Sequence, residues 1–126
     1  MLTLKRVPER ETRRIADILD IEVFEDEDLF VALDGDLIVG FAIYALTDLQ
    51  VVIGEFYADD NDAFVIDGLI RAVMSYALNR GLEYVDFDEE CDGEMLDRLG
   101  FLGEDGRRYN LPIGKFIGGG CGGVQS

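Results

Sequence analysis

"LQVVIGEFYADDNDAFVIDGLIRAVMSYALNRGLEYVDFD", residues 49–88, decides the fold. Residues 49–58 have the composition of a strand. From Ala63 the period changes to that of a helix, with Ile66, Leu69, Ile70, Val73, Tyr76 and Ala77 on one face and Gly81 placed as the stop. Residues 82–88 read as a strand again. A strand, a long helix and another strand in sequence usually form a right-handed crossover between parallel strands. Asp59, Asp60, Asn61 and Asp62 form the corner between the first strand and the helix, a corner rich in acid and without glycine.

Upstream, "LFVALDGDLIVGFAIYAL", residues 29–46, holds two strand-like runs joined by an Asp-Gly turn, which predicts a hairpin. Only Thr47 and Asp48 separate it from the next strand, so an antiparallel meander precedes the parallel pair and the sheet is mixed. "LTLKRV", residues 2–7, reads as a first strand; Pro8 suits the first turn of a helix carrying Ile15, Ile18 and Leu19, and residues 21–28 take no regular element. Downstream, "GEMLDRLGF", residues 93–101, is a short helix ending at Gly100, and "RRYNLPI", residues 107–113, is a last strand interrupted by Pro112. The expected class is an α/β protein with a mixed α+β sheet in one domain over residues 1–117. A glycine-rich tail holding Cys121, residues 118–126, is expected to be flexible.

Composition narrows the function. The chain has 126 residues, 11 basic against 27 acidic, a formal charge of −16 and a mean hydropathy of +0.09. Such a charge repels nucleic acid and anionic lipid, while it attracts a cationic small molecule or a basic protein partner, or simply keeps a small protein in solution. No run approaches the ~18 apolar residues of a membrane span, and the first residues lack an apolar signal core, so the expected compartment is the cytoplasm. Two cysteines, Cys91 and Cys121, make neither a disulfide framework nor a metal-ligand set.

The order of elements resembles that of the GNAT superfamily of N-acetyltransferases. The residues that carry the resemblance are the hairpin "LFVALDGDLIVGFAIY" with Gly40, the helix and strand "LIRAVMSYALNRGLEYVDFD", and "MLDRLGF" at residues 95–101. It covers Leu2 to about Ile113. The resemblance implies a sheet splayed between its fourth and fifth strands, with acetyl-CoA in the splay and its pyrophosphate on the amides that open the main helix. The implied chemistry is acyl transfer to an amine. By position it implies cofactor contacts at Phe56, Tyr57, Ala58, Asn61, Ala63 and Phe64, and a base at Glu55. Alternation with Val51 and Ile53 places Glu55 on their apolar sheet face, where burial suits a carboxylate to accept a proton.

Two departures from the family pattern stand out. A pyrophosphate on a helix start needs free amides, glycines that allow close approach and no competing negative charge. This corner offers Asn61, Asp62, Ala63, Phe64 and Val65, with Gly68 a turn too late, and Asp62 reads as an N-cap. The family's proton-donating tyrosine before "LGF" is replaced by Leu96, which leaves Tyr109 on the last strand and Cys91 as candidate donors. Acetyl-CoA is therefore a doubtful cofactor, no metal is expected, and the expectation is an atypical or non-catalytic relative. The alternative is an active N-acyltransferase on a cationic amine. The short span before the hairpin leaves little room for a second acceptor-side helix, so that side is open or closed by a second subunit, as in a homodimer.

Overall fold

A computed structural model describes residues 1–117. The strands are β1 (Leu2–Arg6), β2 (Asp28–Asp34), β3 (Leu37–Leu46), β4 (Gln50–Ala58), β5 (Tyr84–Phe87) and β6 (Leu111–Pro112), and the helices α1 (Thr12–Leu19), α2 (Ala63–Asn79) and α3 (Gly93–Leu99). The strands lie side by side in chain order, antiparallel except for the parallel pair β4–β5. The sequence thus gives up its topology in the expected form. β2 and β3 turn through Gly35 and Asp36, with Gly35 at a φ of +64° that glycine adopts without strain. Gly100, at a φ of +80°, ends α3 in the same way.

The two sheet faces bury different things. On one lies α2, whose Ile66, Leu69, Ile70, Val73, Met74 and Ala77 are fully buried against Ala32, Ala42, Val51, Ile53 and Ala58. Each such side chain contributes roughly 1.5–3 kcal/mol by leaving water. Close approach depends on Gly40: a β-carbon there would stand 2.7 Å from the Tyr57 carbonyl oxygen and 3.0 Å from Val65. On the other face α1 covers Val7, Leu29, Val31, Phe41 and Ile43 through Ile15 and Leu19, helped by Ile21 and Val23 of the irregular segment 20–27. No second helix lies between α1 and β2, as the short span predicts.

Ile18, read with Ile15 and Leu19 on one helical spacing, does not join them and is 64% exposed. Two further expectations need correction. The last strand does not run over residues 107–113: it is only Leu111–Pro112, because Asn110 takes a left-handed φ of 55° that breaks the extended chain. Tyr109 is thus outside the strand and about half exposed. The second concerns parity along β4. Ile43 faces Glu55 and Tyr44 faces Ile53, so Gly54 is an extra residue that bulges out of the ladder. Val51 and Ile53 point to the α2 side, and after the bulge that side is taken by Phe56 and Ala58. Glu55 lies on the opposite face from Val51 and Ile53 and is exposed. The tail with Cys121 lies outside the described residues.

At the far end of α2, Tyr44 is fully buried among Phe30 and Tyr76, and its hydroxyl has no hydrogen-bond partner among the described residues. Burial, and after it the nearby Asp28, holds the phenol protonated well above its usual range. Arg6 and Arg80 both stand over the Tyr76 ring, 4.9 and 5.6 Å from its centre. Asp28 itself is pushed above the usual carboxylate range, chiefly by burial, with Arg6 opposing.

Two outcomes are expected. Gly40→Ala destabilises the fold by about 1–3 kcal/mol in urea unfolding, because the methyl meets main chain rather than a movable side chain. Asp28→Asn raises the melting temperature at pH 7. The acid's folded pKa lies above its unfolded 3.8, so the stability this shift contributes is present below 3.8 and lost as pH rises through the folded value. The gain of the amide variant should accordingly vanish at pH 3, and a gain unchanged across that range would contradict the assignment.

Candidate functional site

The parallel pair is short. β4 and β5 are joined only from Gln50–Tyr84 to Ile53–Phe87, beyond which Glu55–Ala58 stay paired with β3 alone. The two strands part there, and the crevice opens toward the start of α2. At its root the Ile53 carbonyl accepts twice, from the Asp88 amide at 2.9 Å and the Cys91 thiol at 3.3 Å. Arg108 holds the outer turn by donating to the carbonyls of Asp88 at 2.8 Å and Cys91 at 3.0 Å. Burial pushes the Cys91 thiol up to about 12, so it is protonated at neutral pH, with its hydrogen directed at a carbonyl. Leu96 is fully buried in the core and carries no proton to give.

The upper wall is the acidic corner. Asp62 caps α2, its Oδ1 accepting from the amides of Phe64 at 3.0 Å and Val65 at 3.4 Å. Asp60 and Asn61 take left-handed φ values of 57° and 52°, which swing the chain around the corner without glycine. Tyr57 donates its hydroxyl to Asp59 at 3.1 Å, and that bond raises its phenol above the usual range. A hollow of about 470 Å³ beside the corner is lined by Asp34, Asp59, Asp60 and Asp62 together with Leu2 and Phe64. A phosphate placed here would meet four carboxylates, each opposing it by roughly 1 kcal/mol in wet surroundings, against one ammonium, that of Met1, which already pairs with Asp34 at 3.3 Å. The residues present do not fit a pyrophosphate.

Of the residues singled out in the sequence, Phe56, Ala58 and Ala63 line the α2 side of the opened strand, whereas Tyr57 stacks on Phe41 at 5.6 Å on the other side. Asn61 and Phe64 are exposed at the corner. Glu55 shares the open face with Tyr57. Tyr109 is not brought to Glu55: β5 lies between them, since Arg108 bonds to its outer edge at Phe87. Asp86 and Asp88 are engaged in shaping turns, accepting from the amides of Asn110 at 2.7 Å and Glu90 at 3.1 Å.

Sequence reasoning missed Glu27. Its Oε1 accepts from the Phe24 amide at 2.9 Å, and its Oε2 lies 3.5 Å from where a Gly54 β-carbon would sit, at the bulge next to Glu55. The only signal was the acidic run Glu25–Asp28 before β2, in a segment without a period to orient it.

No family model matches the chain, and no curated protein matches it in sequence. Solved structures do match. An aminoglycoside acetyltransferase from an uncultured soil metagenomic sample superposes with a TM-score of 0.57 at 19% identity, over 77% of this chain and 84% of that one. A ribosomal-protein-alanine N-acetyltransferase from Brucella melitensis biovar Abortus 2308 gives 0.61 at 12% identity, over 79% and 90%. A GNAT-family protein from Desulfovibrio desulfuricans, described as an acetyltransferase, gives 0.51 at 12% identity, over 69% and 72%. With its meander, its crossover helix α2 and its strands parted beyond Ile53, the chain has the fold of the GNAT acetyltransferases.

Proposed function

We propose that the chain is a GNAT-fold protein without the acetyl-CoA pyrophosphate cradle, acting as a non-catalytic module that binds a cationic ligand or a basic protein. The observation that supports this most is the Asp62 carboxylate on the Phe64 and Val65 amides. Those donors are what a helix start offers an anion, and here an anion of the chain's own already accepts from them. The lack of a proton donor at Leu96 and the tightly held thiol of Cys91 agree with this reading. The formal charge of −16 and the acids on the open face, Glu27 and Glu55 among them, favour a positively charged partner.

A second reading is favoured by one feature. The Gly54 bulge sets Glu55 beside the parting of β4 and β5 on the side left open by the missing second helix. In this reading the protein is an N-acyltransferase that holds its acyl donor by another route, and Glu55 takes the proton of a cationic amine.

Calorimetric titration with acetyl-CoA at low and high salt separates the two. No heat up to millimolar concentration is the expected result; micromolar binding would favour the acyltransferase. Asp62→Ala should lower stability by about 1 kcal/mol through loss of the cap. An unchanged unfolding midpoint would remove the cap from the argument.

A further inference from the structure

At the end of the parallel pair away from the crevice, the starts of β4 and β5 frame a second hollow of about 440 Å³. Its walls include Asp48, Leu49, Gln50, Glu83, Tyr84 and Asn110, and among the described residues no basic side chain lines it. Measured along β4 it lies roughly 15 Å from Glu55 at the usual strand rise. Leu49 is 73% exposed and Tyr84 45% exposed, so an aliphatic and an aromatic side chain are both presented to solvent beside two carboxylates.

The main chain of the walls is pinned by hydrogen bonds. The Thr47 hydroxyl oxygen accepts from the amides of Leu49 at 3.3 Å and Gln50 at 3.1 Å, and Thr47 closes the turn through its own amide to the Gln50 carbonyl at 2.8 Å. Opposite, the Ile113 amide donates to the Glu83 carbonyl at 2.8 Å and the Asn110 amide to Asp86 at 2.7 Å. A main chain already held in place loses little further freedom when a ligand seats.

From this geometry we infer that the hollow between the Thr47–Gln50 turn and Tyr84 is a docking site for an arginine of a basic protein, followed by an apolar residue. Charge complementarity selects the occupant. A guanidinium stacks on an aromatic face while its edges donate to carboxylates, a combination that an ammonium matches less well. Leu49 supplies the apolar contact for the next residue. The inference rests on the reading of the chain as a binder of cations and gives that partner a seat distinct from the crevice.

The test is an amide-resolved NMR titration of the whole chain with the capped dipeptide acetyl-Arg-Leu-amide and with its neutral counterpart carrying citrulline. The arginine peptide should give saturating shifts at Asp48–Gln50, Glu83–Tyr84 and Asn110, and the citrulline peptide almost none. Tyr84→Ala should weaken binding about tenfold, with Leu49→Ala as a second probe on a side chain the core does not use. The double variant Asp48→Asn, Glu83→Gln should weaken it more than Glu22→Gln, Glu25→Gln, which removes the same two charges from the hollow beside α1. Equal weakening by the two double variants would reduce the effect to a diffuse field and overturn the site. Shifts centred on Glu27 and Glu55 would overturn it while leaving the cation-binding reading standing. No shift anywhere would count against both.

Discussion

One extra residue in β4 organises the rest of the molecule. Gly54 interrupts the two-residue alternation of the strand, so both halves of β4 feed the core under α2: Val51 and Ile53 before it, Phe56 and Ala58 after it. Without the slip the second half of the strand would present Glu55 and Tyr57 to α2 and expose the apolar pair. The same position is where β4 lets go of β5. Core packing, the opening of the crevice and the placement of Glu55 therefore meet at one residue of β4.

The topology was legible because it is written in period and turn chemistry. The helical repeat from Ile66 to Ala77, the two-residue turn at Gly35 and Asp36, and the stop at Gly100 each depend on neighbours in sequence. The N-cap at Asp62 was legible for the same reason, since a cap acts on amides two and three residues away. The face of Glu55 was not. A bulge is decided by the partner strand, here the slip between Ile43 and Tyr44, and nothing near Glu55 except a glycine hints at it. Tyr109 failed differently: residues 107–113 suggested a strand interrupted by proline, and the left-handed Asn110 delays its start to Leu111. Glu27 lay in a stretch with no periodicity at all.

The crevice and the acidic corner pull in opposite directions. Parting two parallel strands ahead of a helix start makes a place for a ligand, as open α/β sheets commonly do. The corner then fills the polar positions with the chain's own side chains: Asp62 on two amides and Asp59 on the Tyr57 hydroxyl. Scaffold and site chemistry are thus separable in this molecule, the former kept by packing and the latter set by a handful of corner residues.

The Asp62 cap also competes by proximity. Because it is tethered to the helix it covers, its carboxylate meets the Phe64 and Val65 amides at an effective concentration that a dissolved anion has to outcompete. Displacing it would require the carboxylate to rotate out and leave the helix uncapped until the incoming group settled. α2 therefore carries a resident occupant on the Phe64 and Val65 amides, one that any incoming anion would have to displace.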